Sequence, residues 1–192
     1  MGTVAEESVS IEQLSAQIER LSREIEEIKS ESLPQDKLSM VVFSGDLDKL
    51  LASFVIATGA AAMFEEVVMF FTFWGTMALR DPKKNRRGKD MISTAFGKML
   101  PKGASALSLS KMHMGGAGTA MMKDLMKQKN VLSLEQLIDT AAKLGVKIYV
   151  CEMSMDLMGF SLDEMIDYPG IKLAGVGSFL RDAGTSKSTL FI

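Results

Sequence analysis

Two almost unbroken apolar runs restrict this chain more than any other feature: Lys37-Leu38-Ser39-Met40-Val41-Val42-Phe43-Ser44 and Glu65-Glu66-Val67-Val68-Met69-Phe70-Phe71-Thr72-Phe73. A strand with one wet face alternates apolar and polar residues. A strand of a parallel sheet is apolar throughout, because helices cover both of its faces. Gly45-Asp46 and an apolar helical stretch from about Leu47 to Met63 separate the two runs, so together they read as a βαβ unit. The expected class is therefore α/β, with a mostly parallel sheet.

A third strand delivers the single cysteine. Val146, Ile148 and Val150 alternate with Lys147 and Tyr149, and Cys151 follows at the carboxyl end. Open α/β sheets gather reactive groups at that end. If the three strands are parallel, Ser44-Gly45-Asp46 and Phe73-Trp74-Gly75 emerge at the same edge. Gly45 and Gly75 would permit close turns there, while Phe73 and Trp74 would wall off water, with core or subunit contact as their alternative role. A free cysteine is more often an inert small hydrophobe than a nucleophile. Ser154 is expected to cap a helix beginning near Met155, which favours a thiolate; Glu152 and Asp156 oppose one, so the sign of the pKa shift stays open.

Elsewhere, Ile11, Leu14, Ile18, Leu21, Ile25 and Ile28 form a heptad seam between Val9 and Glu31, which implies packing against a second copy or against the chain's own domain. Leu33-Pro34 ends that helix, giving an N-terminal segment 1–35 and a domain 36–192. Asp81 to Gly88 is a basic loop, a solvated turn or a docking site for an acidic partner. A helix over Met91–Met99 follows. Ser108 to Thr119 is a glycine-rich loop matching no nucleotide signature. It carries His113, the sole histidine, as an acid, base or cation for Cys151 or as a merely structural residue. Ser133 and Gln136, then Ser161 and Glu164, have capping-box spacing ahead of helices. Ile171–Val176 and Ser188–Ile192 read as strands, with a helix over Gly177–Asp182 between them.

Composition removes several function classes. A hydrophobic share of 47% over 192 residues supports a sizeable core without metal or disulfide. With 22 basic and 24 acidic side chains, the net charge of −2 argues against general nucleic-acid binding. One cysteine excludes an internal disulfide and suits a reducing compartment. The start, Met1-Gly2-Thr3-Val4-Ala5-Glu6-Glu7, lacks an apolar secretory segment, so a cytoplasmic location is expected. Glu65-Glu66 split the apolar region Leu50–Leu79 into pieces too short for a membrane span of about 20 residues. One histidine leaves no His-based metal cluster.

Taken together, Val41-Val42-Phe43-Ser44-Gly45-Asp46, Phe70-Phe71-Thr72-Phe73-Trp74-Gly75, Lys111-Met112-His113-Met114-Gly115-Gly116-Ala117-Gly118-Thr119 and Cys151-Glu152-Met153-Ser154-Met155-Asp156 resemble the DsrE/DsrF-like family, in its DsrE-related, peroxiredoxin-like branch. The likeness runs from about Leu38 to Ile192 and leaves out the heptad segment. It implies a flavodoxin-like, Rossmann-like three-layer sandwich in a homo-oligomer. It also implies a sulfur carrier or sulfurtransferase that holds sulfane sulfur as a persulfide on Cys151 and passes it to an acceptor thiol. Ser154 and His113 would support the thiol, and Ser44, Gly45, Asp46, Phe73, Trp74, Gly75 and Met153 would line the pocket. Donor and acceptor proteins or small thiols are the implied partners, with no cofactor and with lipid contact as a minor reading. Some relatives carry a further cysteine. Its absence here argues against a two-cysteine relay.

Two other readings compete with the carrier. Cys151 with Met153, Met155 or Met158 offers thiolate and thioether ligands suited to Cu(I), although methionine more often fills core gaps. A non-catalytic oligomeric scaffold would owe nothing to Cys151.

Overall fold

The computed structural model describes residues 11–32, 34–84, 95, 97 and 99–192. The expectations for the chain start, for the basic loop beyond Lys84 and for most of the Met91–Met99 helix lie outside them. The chain divides into two compact units at Pro34. The first contains helix α1 (Ile11–Ser32).

In the second unit, β1 (Gln35–Val42), α2 (Leu47–Ala60) and β2 (Glu66–Phe71) follow one another. A 3-10 turn, Phe73–Leu79, leaves β2. Then come α3 (Ala117–Gln128), α4 (Leu134–Lys143), β3 (Lys147–Cys151), α5 (Glu152–Met158), β4 (Lys172–Ala174), α6 (Val176–Thr185) and β5 (Ser186–Phe191). The five strands form one sheet in the order β4-β3-β2-β1-β5, and every pairing is parallel. This is a flavodoxin-like three-layer α/β sandwich. Flavodoxin itself has the order 2-1-3-4-5; here the last strand, rather than the second, fills the edge beside β1.

Strand order decides which helices cover which face. From β1 to β4 the sheet grows in one direction, so right-handed crossovers put their helices on one side; the return from β4 to β5 must cross the other. Side-chain alternation records the split. Met40, Val42, Met69, Phe71, Ile148 and Val150 join Leu50, Phe54, Leu137 and Ile138 of α2 and α4 in the main core. Val41, Phe70 and Cys151 face the other way and cluster with Phe179 of α6. Lys37, only 4% exposed, anchors α6 from that face through an ion pair with Asp182. Glu66 lies 3.5 Å from the same ammonium.

The local signals explain most boundaries. Ser133 and Gln136 close a reciprocal capping box at the start of α4. At Ser161 and Glu164 only half of the box closes, the Ser161 N–H donating to the Glu164 carboxylate at 3.2 Å, and the segment after them makes only a 3-10 turn, Leu162–Glu164. The apolar region Leu50–Leu79 resolves into α2, β2 and the turn after it, and no helix among the described residues is long and apolar enough to cross a membrane. Lys84, at the start of the basic loop, is held by the Met165 carbonyl at 2.9 Å and by Asp167 at 2.6 Å.

The ends of β1 and β2 are packed backbone against backbone. A Cβ on Gly75 would stand 2.4 Å from the Val42 carbonyl oxygen, and one on Gly45 would stand 2.8 Å from that of Trp74. Neither backbone has room to retreat, since the Gly75 N–H donates to Phe43 O at 2.9 Å and the Thr72 N–H to Val42 O at 3.1 Å. We expect Gly75→Ala to destabilise the domain by about 1–3 kcal/mol, the usual range for overpacking. Urea unfolding followed by circular dichroism checks it; a variant as stable as the parent would show that the two strand ends are not locked together.

Candidate functional site

Register builds the site. Phe71 of β2 lies opposite Val150 of β3, so the next residues, Thr72 and Cys151, leave the sheet side by side. Cys151 is the residue that precedes α5, with extended backbone (φ −65°, ψ 115°). Helix α5 starts at once, at Glu152, so Ser154 lies within its first turn. The expected capping role of Ser154 is thus corrected: the helix begins three residues earlier than Met155, and the serine hydroxyl turns into the protein. It is fully buried and shares a 2.8 Å hydrogen bond with the Thr72 hydroxyl.

These groups act on the thiol. Cys151 is only 5% exposed, and burial alone pushes its pKa up. The neutral polar groups beside it, the Ser154 and Thr72 hydroxyls and the N–H groups of Ser154 and Met153, more than offset that, and the net shift is downward from the ordinary thiol value. The sign left open by the sequence is settled by these neutral donors. The apolar side of the pocket is formed by the cluster of Val41, Phe70 and Phe179, flanked by Tyr149, Ala174 and Ala183. The Phe70 and Phe179 rings are 5.3 Å apart.

Thr72 is the site residue that sequence reading missed. Its signal was present: it is the one polar residue in the Phe70-Phe71-Thr72-Phe73 run, at the strand end that neighbours Cys151. Its position depends on a strained turn. Phe73 adopts φ +44°, a region costly for a bulky side chain, at about 1–3 kcal/mol. The turn is held by the Thr76 hydroxyl, which donates to the Phe73 carbonyl at 2.6 Å.

The other expected residues fall in several places. Met153 contributes its N–H while its side chain is exposed. Phe73 packs on the main core and against Phe43, at 5.5 Å between centroids, and Trp74 is 44% exposed. Neither belongs to the apolar cluster around Cys151. Ser44 and Asp46 bond to each other at 3.0 Å, and Asp46 pairs with Lys49 at 2.8 Å. His113 is exposed and engages Thr119, with Nδ1 3.3 Å from Oγ1. That loop rests on the start of α2, where the Leu47 N–H donates to Ser108 O and Ser110 bonds to Asp48. Met155 and Met158 are buried in the main core, in a different cluster from Cys151. Among the described residues no group of three or more His, Cys, Asp or Glu is placed to hold a metal ion.

Replacing Thr72 with Val or Ser154 with Ala breaks the hydroxyl pair beside the thiol, an interaction of about 0.5–1.5 kcal/mol. Alkylation of Cys151 by iodoacetamide is therefore expected to slow about three- to tenfold at neutral pH and to recover at high pH. Folding lowers this pKa, so the thiol's contribution to stability is full above the unfolded thiol's pKa and is lost as pH falls through the lower folded value. The stability difference between the parent and Cys151→Ala should grow as pH rises through that window, measured by thermal melts; a pH-independent difference contradicts the donor assignment.

The chain can now be compared with known proteins. A family model described as the DsrE/DsrF/DrsH-like family matches residues 34–191. "Uncharacterized protein YrkE" of Bacillus subtilis is 46% identical over 156 residues, covering 81% of this chain and 96% of that protein. "Sulfur carrier protein DsrE2" of Allochromatium vinosum is 35% identical over 164 residues, covering 83% of this chain and 100% of that protein. The crystal structure of the ychN protein from E. coli aligns with 81% of this chain and 98% of its own at a TM-score of 0.47 and 10% identity. With a family model spanning the whole sheet, and a relative 46% identical over nearly its full length, the chain belongs to the DsrE/DsrF/DrsH-like family.

Proposed function

We propose that this protein is a sulfur carrier in which Cys151 holds sulfane sulfur as a persulfide and yields it to an acceptor thiol. The observation that carries this reading is a buried thiol at the carboxyl end of β3, set between the Thr72–Ser154 hydroxyl pair and the start of α5. A cysteine serving only as core filler needs no donors, whereas a thiolate in an apolar pocket does. The 35% identical relative named as a sulfur carrier supports the same reading.

The chemistry is two displacements. The Cys151 thiolate attacks the outer sulfur of a polysulfide or thiosulfate; a new S–S bond forms, and the donor's own bond to that sulfur breaks. The electron pair leaves with the donor, as a shorter polysulfide or as sulfite. An acceptor thiolate then attacks the outer sulfur of the Cys151 persulfide, and the Cys151 thiolate departs as leaving group. A low pKa helps in both directions, by supplying the nucleophile and by improving the leaving group. The Thr72 and Ser154 hydroxyls accompany the sulfur through each charge state. Phe70 and Phe179 keep bulk water from the persulfide. Donors and acceptors are thus proteins or small molecules carrying sulfane sulfur or a thiol. The reducing cytoplasm suits such an exchange.

The copper alternative lacks a convergent ligand set, since Met155 and Met158 pack in the other core cluster. Intact mass spectrometry after incubation with polysulfide or thiosulfate is expected to show a gain of one sulfur atom, removed by reductant and absent from Cys151→Ser. Equal loading of Cys151→Ser would refute the carrier role, and a parent that never gains sulfur from any donor would leave the scaffold reading in its place.

A further inference from the structure

Helix α1 stands outside the family match, which begins at residue 34. The alignment that takes in the whole of the Allochromatium protein uses 83% of this chain. A domain that relatives complete without this helix does not need it to fold, so its side chains answer to another requirement.

That requirement is legible in the heptad. With Ile11 at position a, Ile18 and Ile25 also fall at a, and Leu14, Leu21 and Ile28 fall at d. All six are exposed, from 47% at Leu14 to 86% at Ile11. Monomeric surfaces scatter single apolar side chains; six in one continuous stripe mark a contact surface. Most of the charged residues keep to the outer flank. Glu12, Glu19, Arg20, Arg23, Glu26 and Glu27 occupy b, c and f and Glu24 occupies g; Arg20 pairs with Glu24 at 2.8 Å and Arg23 with Glu19 at 3.8 Å within the helix. The seam itself carries no charge to discourage a partner.

We propose that α1 pairs with α1 of a second copy of this chain as a parallel, in-register, two-stranded coiled coil. β-Branched Ile at all three a positions with Leu at two of the three d positions is close to the arrangement that favours two parallel strands, since the a and d holes of a dimer differ in shape. Twenty-two residues give three heptads and a rod of about 33 Å. The pairing is independent of the Cys151 chemistry. Its consequence is that two domains, and hence two carrier thiols, are tethered in one assembly.

The test uses the full chain. Sedimentation equilibrium over a concentration series is expected to show that Ile18→Lys/Leu21→Lys lowers the assembly mass about twofold, whatever the domain does by itself. Orientation is read in a Cys151→Ser background: Leu14→Cys is expected to form a disulfide-linked dimer under mild oxidation, and Arg20→Cys, on the outer flank, is not. An unchanged mass in the double variant overturns the pairing. Crosslinking of Leu14→Cys chains to Ile25→Cys chains, in place of each variant to itself, overturns its parallel direction.

Discussion

The site depends on one constraint, the parallel register of β2 against β3. Because Phe71 faces Val150, a threonine and a cysteine leave neighbouring strands at the same height. The helix that starts directly after the cysteine then swings Ser154 back to meet the threonine at 2.8 Å. A shift of one residue in that register would turn every side chain of the strand to the other face. Cys151 would then turn into the main core in place of Ile148 and Val150, away from both hydroxyls.

The two faces of the sheet divide the labour. One is packed by α2 and α4 with large aliphatic and aromatic side chains, many with no exposure at all. The other, under α6, mixes Val41, Phe70 and Phe179 with Lys37, Ser39 and the thiol. A buried ammonium is tolerated there because Asp182 and Glu66 answer it, and the thiol's pKa is lowered there by the neutral polar groups of Ser154, Thr72 and Met153. Neutral donors suit an exchangeable sulfur better than a cation would. A fixed ion pair would hold the thiolate so strongly that its nucleophilicity fell along with its pKa.

How far the sequence revealed this follows from what each signal measures. The unbroken apolar runs disclosed β1 and β2 because burial on both faces leaves no room for alternation, and the Ser133 and Gln136 spacing marked the start of α4 for a purely local reason. Period-two alternation even set Cys151 on the face of Tyr149 and opposite Val150. The start of α5 was misread because a serine in a first turn looks like a cap when the helix boundary is unknown. Here Ser154 lies inside the helix with its hydroxyl buried. Thr72 escaped notice because its role arises only from Ser154 of α5, 82 residues away in sequence. His113 and Trp74 drew attention as rare residue types, but rarity carries no information about distance, and both side chains face solvent.

Burial and reactivity are usually opposed in a cysteine, and the arrangement around Cys151 shows how they can coexist. Desolvation is the largest single influence on this thiol and works against ionisation. Full exposure would remove that cost but would leave the thiol open to water and to any passing oxidant. The fold keeps the sulfur 5% exposed and sets beside it the Thr72–Ser154 hydroxyl pair and the N–H groups of Met153 and Ser154, which lower its pKa. Those donors are held by a turn in which Phe73 sits at φ +44°. Such strain persists where the surroundings over-determine the backbone, as the close packing of Gly45 and Gly75 does here. The strained phenylalanine, the two crowded glycines and the hydroxyl pair are thus parts of one device. Each is unremarkable alone, and together they favour ionisation of a thiol that burial would otherwise hold neutral.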